Sequence, residues 1–286
     1  MPHLPPLPAV MIEPMVRAAL LEDLGRAGDI TTDACVPAQA QAVLALTSRQ
    51  NGVAAGLDLA QMAFHLIDPA IRFDRRCQDG DRLTPGSVLA TVSGSARSLL
   101  MAERVALNYL CRLSGIASVT RQIADAIAGH KARIACTRKT TPGLRAVEKY
   151  AVRAGGGSNH RFGLDDAVLI KDNHIAIAGG IAPALRAAHA HAGHLVKIEI
   201  EVDTLDQLAQ VLKIGADAVL LDNMTPDMLR KAVAMVDGRA VTEASGRVTP
   251  ETAPVLAATG VDLISAGWLT HSAPILDIGL DVDALS

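Results

Sequence analysis

The chain has 286 residues, of which 50% are hydrophobic, 20% charged and 2% aromatic, with a net charge of −3. This apolar content excludes a disordered chain and predicts one or two domains. The scarcity of aromatic residues argues against nucleic-acid binding by base stacking, and no apolar run reaches the roughly 18 residues that a membrane helix needs.

The N-terminal segment, residues 1–14, has five prolines and no lysine or arginine. It therefore lacks the basic start of a signal peptide and predicts an extended lead-in. The four cysteines are far apart in the sequence and form no C-x-x-C pair. Both features predict a cytoplasmic protein with reduced thiols.

The first third of the chain predicts a mixed domain of helices and short strands, separated by turn signals such as T-P-G at 84–86. The predicted helices cover 12–24 and 57–66, and the predicted strands cover 43–47, 53–55, 71–73 and 88–92. Residues 98–128 then carry leucines and valines at helical spacing, and Gly115 is expected to break this stretch into two helices.

From residue 133 onward, short apolar strands alternate with helical segments. The strands are expected at 133–136, 168–170, 196–202, 218–221, 240–242 and 263–265. The last four recur about every 20 to 22 residues, which is typical of repeated βα units and predicts a parallel sheet. A barrel is favoured over a doubly wound sheet, because no G-x-G-x-x-G motif follows the first strand.

The ends of these strands carry polar residues or glycine, and barrel enzymes place their chemistry at the carboxyl ends of the strands. Glu199 and Glu201 point to the same side of their strand, where buried acids need cationic or metal partners. Glu201 and Asp222 could share a Mg²⁺ ion that bridges phosphate oxygens, and ion pairing with lysines is the competing interpretation.

A basic block covers residues 131–171, with nine lysines and arginines against three acidic residues. Within it, the glycine-rich run at 154–161 predicts a loop whose backbone approaches a ligand closely. Arginine binds carboxylates in a bidentate manner and lysine binds phosphate as a point charge. The block therefore predicts a site for a small, strongly anionic ligand.

The motifs T-R-K-T-T-P-G at 137–143 and G-G-G-S-N-H-R at 155–161 closely resemble the quinolinate phosphoribosyltransferase family. The resemblance covers essentially the whole chain after the lead-in. Further matching motifs are A-E-R at 102–104, L-S-G-I-A at 113–117, K-D-N-H at 171–174, E-I-E-V at 199–202, L-L-D-N at 220–223 and L-T-H-S at 269–272.

The resemblance implies an N-terminal α/β sandwich domain (1–113), an open, incomplete α/β barrel (114–270) and a C-terminal segment (271–286) that returns to the first domain. It also implies a homodimer, or a larger assembly, whose active site is shared between subunits. Arg104 would reach the active site of the partner subunit.

The family reaction joins quinolinate and phosphoribosyl pyrophosphate, with Mg²⁺, to give nicotinate mononucleotide, pyrophosphate and CO₂ in NAD synthesis. By resemblance, Lys139, Lys171, Glu201 and Asp222 are expected to be catalytic, and Glu201 and Asp222 to contact Mg²⁺. The remaining expected substrate-binding residues are Arg104, Thr137, Arg138, His160, Arg161, Ser245, Gly246, Arg247, Ala266, Gly267, Trp268 and His271. No nucleic acid or membrane is expected as a partner.

Two residues depart from the family pattern, since Arg247 and Trp268 stand where small residues are expected. Three alternative functions stay open at this point. The first is that of a molybdenum-transport-associated paralogue with another acceptor substrate. The second is a sugar-phosphate isomerase or aldolase in which Lys171 forms a Schiff base. The third is a metabolite-binding protein without catalytic activity.

Overall fold

A computed structural model describes residues 4–282 of the chain. The chain divides into two compact units. The first contains the residues up to Arg121, Ala146–Gly156 and the residues from Ser272 onward, and the second contains Gln122–Arg145 and Gly157–His271. Ala146–Gly156 thus groups with the first unit, whereas the sequence-based boundaries put it in the barrel domain. Those boundaries stay a prediction.

The helices and strands alternate along most of the chain. The helices are α1 (Ala9–Leu24), α2 (Ile30–Cys35), α3 (Leu57–Ile67), α4 (Ala96–Ala126), α5 (Arg145–Ala154), α6 (Asp172–Ile177), α7 (Ile181–His191), α8 (Leu205–Ile214), α9 (Pro226–Val236), α10 (Ala253–Ala257) and α11 (Trp268–His271). The strands are β1 (Gln41–Ser48), β2 (Gly52–Val53), β3 (Arg72–Arg75), β4 (Arg82–Leu83), β5 (Val88–Ser95), β6 (Arg133–Ala135), β7 (Val168–Ile170), β8 (Ile198–Val202), β9 (Ala218–Asp222), β10 (Val241–Ser245), β11 (Leu263–Ser265) and β12 (Ile278–Asp281).

The first unit is built on an antiparallel sheet with the strand order β12-β1-β5-β3. Consecutive residues in the middle of β1 and β5 are buried, among them Leu44, Ala45 and Leu46, and Leu89 and Ala90. Because successive side chains point to opposite faces, this part of the sheet is covered on both faces. β12 comes from the end of the chain and pairs with β1 along the sheet edge. This pairing accounts for the C-terminal segment belonging to the first unit.

α4 is one continuous helix of 31 residues, so the predicted break at Gly115 is wrong. Glycine lowers helix propensity by about 1 kcal/mol, but packing of the surrounding apolar face stabilises the helix through this position. Leu99, Leu110 and Leu113 on that face are buried. Gly115 itself is needed for close approach, because a Cβ atom there would lie 2.0 Å from the Pro274 carbonyl oxygen.

The second unit contains a six-stranded parallel sheet with the order β6-β11-β10-β9-β8-β7. Helices connect successive strands, as the repeated βα pattern predicts. β6 and β7 are consecutive in the unit but lie at opposite edges, and within the described residues they share no ladder. The barrel is therefore open between them, and Ser158 forms an isolated bridge to the β6 edge at Ala135. The predicted fold class, an α/β sandwich followed by an open barrel, is confirmed.

In the part of the chain that the structure describes, no helix is long and apolar enough to cross a membrane.

Candidate active site

The carboxyl ends of the barrel strands surround a cavity of about 900 Å³ in the second unit. Every predicted site residue except Arg104 lines this cavity: Thr137, Arg138, Lys139, His160, Arg161, Lys171, Glu201, Asp222, Ser245, Gly246, Arg247, Ala266, Gly267, Trp268 and His271. Arg104 lies on α4 in the first unit, with an exposed side chain whose guanidinium is 4.0 Å from Glu103. Its expected role in a partner's site stays a prediction.

The loop after β6 is held in place by one hydrogen bond within the loop and by another from α11. The Thr137 hydroxyl accepts the backbone N–H of Lys139 at 3.0 Å, and the Thr270 hydroxyl donates to the Lys139 carbonyl at 2.7 Å. A Cβ atom at Gly267 would lie 2.8 Å from Cδ of Lys139. Glycine at this position therefore lets the loop with its cations approach the β11 end closely.

Two arginines on this side of the cavity retain unused hydrogen-bonding capacity. Among the described residues, Nε of Arg138 and Nε of Arg161 are buried polar atoms without a hydrogen-bond partner. Nη1 of Arg161 donates to the Ala167 carbonyl at 3.0 Å. Burial and the positive charge of Arg138 lower the pKa of Arg161. Two neighbouring guanidinium groups with unsatisfied donors are suited to binding an anionic ligand.

The cavity lining also carries carboxylates, and Glu201 on β8 has the cationic partner that its place on the strand predicts. Oε2 of Glu201 accepts from Nζ of Lys171 at 2.9 Å. This ion pair makes Lys171 a paired ammonium group, which argues against its use as a Schiff-base amine. The Asp222 carboxylate accepts from the side-chain amide of Asn223 at 2.6 Å.

Glu201 and Asp222 form a donor set that fits Mg²⁺. Both are carboxylates at the carboxyl ends of neighbouring strands, β8 and β9, and both line the cavity. Mg²⁺ is a hard cation that proteins usually bind through one or two carboxylates together with substrate phosphates.

Glu199 and Glu243 form a cluster with His160, and His160 and Glu243 also line the cavity. Nε2 of His160 lies 2.8 Å from Oε2 of Glu199 and 3.9 Å from Oε1 of Glu243. Both acids are buried, with 9% and 2% of their surface exposed. Burial and the negative charge of Glu199 raise the pKa of Glu243 to about 7.

Sequence reasoning missed Glu243, which lines the cavity together with Leu169, Leu220, Asn223, Val248, Thr249 and Ser265. One signal was available in the sequence. Glu243 stands two residues before Ser245 on the same strand, and alternation puts both side chains on the same side of the sheet.

The loop after β10 has an unusual backbone. Gly246 has φ +106°, and Arg247 has φ +48°, a left-handed conformation that non-glycine residues seldom adopt. A Cβ atom at Gly246 would lie 2.2 Å from Oδ1 of Asn223. The Trp268 indole N–H donates to the Val248 carbonyl at 2.7 Å and so ties this loop to α11. Trp268, which departs from the expected pattern, thereby helps to hold the loop after β10 in place.

The glycine run beside the basic block has a different role from the one predicted. Gly155–Gly157 are absent from the lining of the described cavity. A Cβ atom at Gly155 would lie 2.4 Å from the Ala117 carbonyl oxygen, and one at Gly156 would lie 3.1 Å from Nη1 of Arg121. The first two glycines therefore allow close packing against α4, while His160 and Arg161 at the end of the run line the cavity.

Together these features define a class of protein: an open α/β barrel whose cavity combines carboxylates with a cluster of cations. Arg138, Lys139 and Arg161 form the part of this cluster called here the cationic wall, which suits small polyanions. Comparisons with known proteins specify the class further. The family models described as quinolinate phosphoribosyl transferase, N-terminal domain and C-terminal domain, match residues 29–114 and 116–281.

Two curated relatives match over nearly their whole length. One is the carboxylating nicotinate-nucleotide pyrophosphorylase of Mycobacterium leprae (strain TN), 48% identical over 93% of this chain and 95% of the relative. Another is the probable carboxylating nicotinate-nucleotide pyrophosphorylase of Bacillus subtilis (strain 168), 43% identical over 96% and 94%. The crystal structure of NadC from Streptococcus pyogenes aligns with a TM-score of 0.93 at 40% identity, covering 97% of this chain and 98% of that one. The chain belongs to the quinolinate phosphoribosyltransferase family.

Proposed function

We propose that this protein is an enzyme that transfers the phosphoribosyl group of phosphoribosyl pyrophosphate to the ring nitrogen of quinolinate. The products are nicotinate mononucleotide, pyrophosphate and CO₂, in the synthesis of NAD. The observation that carries this assignment is the cavity, which is lined by the cations of Arg138, Lys139, Arg161 and Lys171 together with the carboxylates of Glu201 and Asp222. The names of the relatives, which are similar over nearly the whole chain, favour quinolinate over the acceptor of a paralogue.

In this proposal Arg138 and Arg161 bind the two carboxylates of quinolinate, together with Arg104 of the partner subunit. The buried, unpartnered Nε atoms of the first two support this role, because a dianion would satisfy them. Lys139 and Lys171 donate to the ring substrate or to the phosphates. Thr137 supports the loop that carries Arg138 and Lys139.

The 5′-phosphate of the ribose binds in the loops after β10 and β11. These loops contribute Ser245, Gly246, Arg247, Ala266, Gly267, Trp268 and His271. Left-handed backbone at Gly246 and Arg247 supports this assignment, because irregular turns of this kind expose backbone N–H groups to an anion. The Arg247 side chain adds a cation next to the same loop.

Glu201 and Asp222 would hold Mg²⁺ in this proposal. When bound, Mg²⁺ supplies positive charge that neutralises the pyrophosphate group. Lys171 pairs with Glu201 at 2.9 Å in the structure. Substrate binding frees this lysine from the pair, so that it can contact substrate oxygens.

Catalysis rests on positioning and charge stabilisation and uses no protein nucleophile. The quinolinate nitrogen forms a bond to C1′ of the ribose as the bond from C1′ to pyrophosphate breaks with its electron pair. The Glu201 carboxylate stabilises positive charge that develops at C1′, and the cationic wall stabilises the leaving pyrophosphate. The ring nitrogen becomes quaternary. The ring then accepts the electrons of the bond to the 2-carboxylate, which leaves as CO₂, and a proton takes its place.

Quinolinate and phosphoribosyl pyrophosphate are both polyanions and repel each other. The cationic wall offsets this repulsion when both bind. Holding them side by side against Arg138, Arg161 and Lys139 converts a disfavoured collision into a reaction within one complex. We place the enzyme in a homodimer in which each cavity is completed by Arg104 of the partner subunit.

The proposal is tested by incubating the purified protein with quinolinate, phosphoribosyl pyrophosphate and Mg²⁺ and measuring nicotinate mononucleotide and CO₂ together. We expect equal amounts of both products, and loss of both in Arg138→Ala and Lys171→Ala. Lys213→Ala, an exposed lysine on α8 outside the cavity, is the matched control with normal activity. Tight binding of both substrates without product would instead support a metabolite-binding protein. Binding of phosphoribosyl pyrophosphate alone would support a paralogue with another acceptor.

A further inference from the structure

His160 is held at both ring nitrogens, and the hydrogen bonds fix where its proton lies. The backbone N–H of Arg161 donates to Nδ1 at 2.8 Å. A ring nitrogen that accepts a hydrogen bond cannot carry a proton, so Nδ1 is the unprotonated nitrogen. The ring proton of a neutral imidazole then belongs to Nε2.

The second hydrogen bond agrees with this tautomer. Nε2 lies 2.8 Å from Oε2 of Glu199, a carboxylate that accepts from it. Glu199 has 9% of its surface exposed, so its charge is only weakly screened by solvent. The ring is therefore held between a carboxylate on one side and the main chain of the next residue on the other.

The same tautomer argues against a metal ion at this place. Nε2 of His160 and one oxygen each of Glu199 and Glu243 lie within 4.8 Å of one another, as the ligands of a metal would. A metal bound to Nε2 needs the lone pair there, which moves the ring proton to Nδ1. That proton would point at the Arg161 N–H, which already donates to Nδ1.

These contacts of His160 hold Arg161 in position. Its guanidinium carries the buried, unpartnered Nε and is repelled by Arg138, and the negative charge of Glu199 counteracts this repulsion. Its backbone is fixed by Nδ1 of His160, and its Nη1 by the Ala167 carbonyl at 3.0 Å. The carboxylate, the imidazole and the main chain of Arg161 thus form one connected series of contacts.

We propose that His160 is a positioning residue, a neutral imidazole with its proton on Nε2, which orients Arg161 and donates no hydrogen bond to substrate. This differs from the expectation that His160 binds quinolinate directly. The kinetic part of the inference rests on the proposed function, whereas the position of the proton can be measured without any turnover.

The first test is ¹⁵N NMR of the full-length protein labelled at its histidines, with the His160 signals assigned by their loss in His160→Asn. We expect one protonated nitrogen, Nε2, and one unprotonated nitrogen, Nδ1, at neutral pH. This pattern should persist when quinolinate is added. An imidazolium with both nitrogens protonated, a proton on Nδ1, or stoichiometric Zn²⁺ uptake that His160→Asn abolishes would each overturn the proposal.

The second test compares two substitutions in the quinolinate assay. An asparagine at position 160 can still accept the Arg161 N–H near the backbone, whereas an alanine cannot. We expect His160→Ala to raise KM for quinolinate by about 10-fold, with kcat affected less, and His160→Asn to restore much of that loss. Equal losses in both variants would contradict a positioning role. If the protein has no quinolinate activity, the NMR result still decides where the proton lies.

Discussion

Lys171 and Glu201 illustrate how single residues in the cavity serve two purposes. Their charged atoms are 2.9 Å apart. Before substrate binds, this ion pair gives each of the two charges, the mostly buried Glu201 carboxylate and the Lys171 ammonium, an opposite charge as its partner. In the proposed reaction, both groups would exchange this partner for substrate when Mg²⁺ and phosphoribosyl pyrophosphate bind. The carboxylate charge would then be available to the ribose when positive charge develops.

We predict that Glu201→Gln lowers kcat by about 100-fold, because an amide of the same shape carries no charge to stabilise the developing cation. KM for quinolinate should change much less, since the cationic wall is intact. Glu22→Gln, an exposed acid on α1 away from the cavity, is the control and should behave as the original enzyme. Steady-state kinetics with both substrates measures this, and an unchanged kcat in Glu201→Gln would refute the role of the carboxylate.

Individual site residues were predictable where they follow a strand directly. Lys171 is the first residue after β7, and Asp222 is the last residue of β9. Both are polar residues at the end of an apolar strand, so their position along the strand is enough to identify them. Glu243 directly follows the predicted strand 240–242 but was not counted as a site residue, because its burial beside Glu199 and His160 depends on neighbouring strands. Gly155 and Gly156 were misinterpreted because their partner, α4, lies far away in the sequence.

At the scale of elements, α4 shows how packing overrides local preference. Gly115 disfavours helix by about 1 kcal/mol, which led to the expectation of a break. The helix continues because its apolar face is packed on both sides of Gly115, and glycine at this position leaves room for Pro274. β12 was likewise not predicted, since its partner β1 lies at the other end of the chain. The βα repeats were predictable because each strand and helix is close in sequence to the next.

We predict that Gly115→Ala destabilises the protein by at least about 2 kcal/mol. The added methyl group would overlap the Pro274 carbonyl oxygen, and this exceeds the gain in helix propensity. The free energy of unfolding in urea measures the effect. Gly193→Ala is the matched control, because a Cβ atom there meets nothing within 4 Å. Equal stability of the two variants would contradict the close contact.

At the scale of the whole molecule, stability should depend on pH through Glu243. Its pKa is raised by burial and by Glu199 to about 7 in the folded state. An acid with a raised pKa stabilises the fold below its unfolded pKa of about 4.3, and this contribution is lost as pH rises through the folded value.

We therefore predict that Glu243→Gln becomes more stable relative to the original protein as pH rises from 5 to 8. The gain should be on the order of 3 kcal/mol, because glutamine cannot ionise. Urea unfolding of both proteins at pH 5, 6.5 and 8 measures the difference. Burial also raises the pKa of Asp79. Because Asp79 is present in both proteins, its effect on the pH dependence of stability cancels when the two are compared. A difference that is constant over this range would contradict the prediction.

The proposed dimer makes a prediction about mixtures of inactive proteins. If Arg104 serves the cavity of the partner subunit, Arg104→Ala and Lys171→Ala impair different halves of one site. Refolding them together at equal amounts should create mixed dimers with one intact site, and restore about a quarter of the original activity. Mixing Arg138→Ala with Lys171→Ala, which impair the same cavity, is the control that stays inactive. No recovery in the first mixture would contradict a shared site.

Trp268 is the only tryptophan of the chain, and its indole N–H is bonded to the Val248 carbonyl in the wall of the cavity. The intrinsic fluorescence of the protein, apart from the emission of the two tyrosines, therefore originates at the proposed phosphate loop. A ligand that enters this loop should alter the emission directly, so titrations need no dye, label or coupled assay. The same emission reports unfolding of the barrel alone, and comparison with circular dichroism would reveal whether the two compact units melt together.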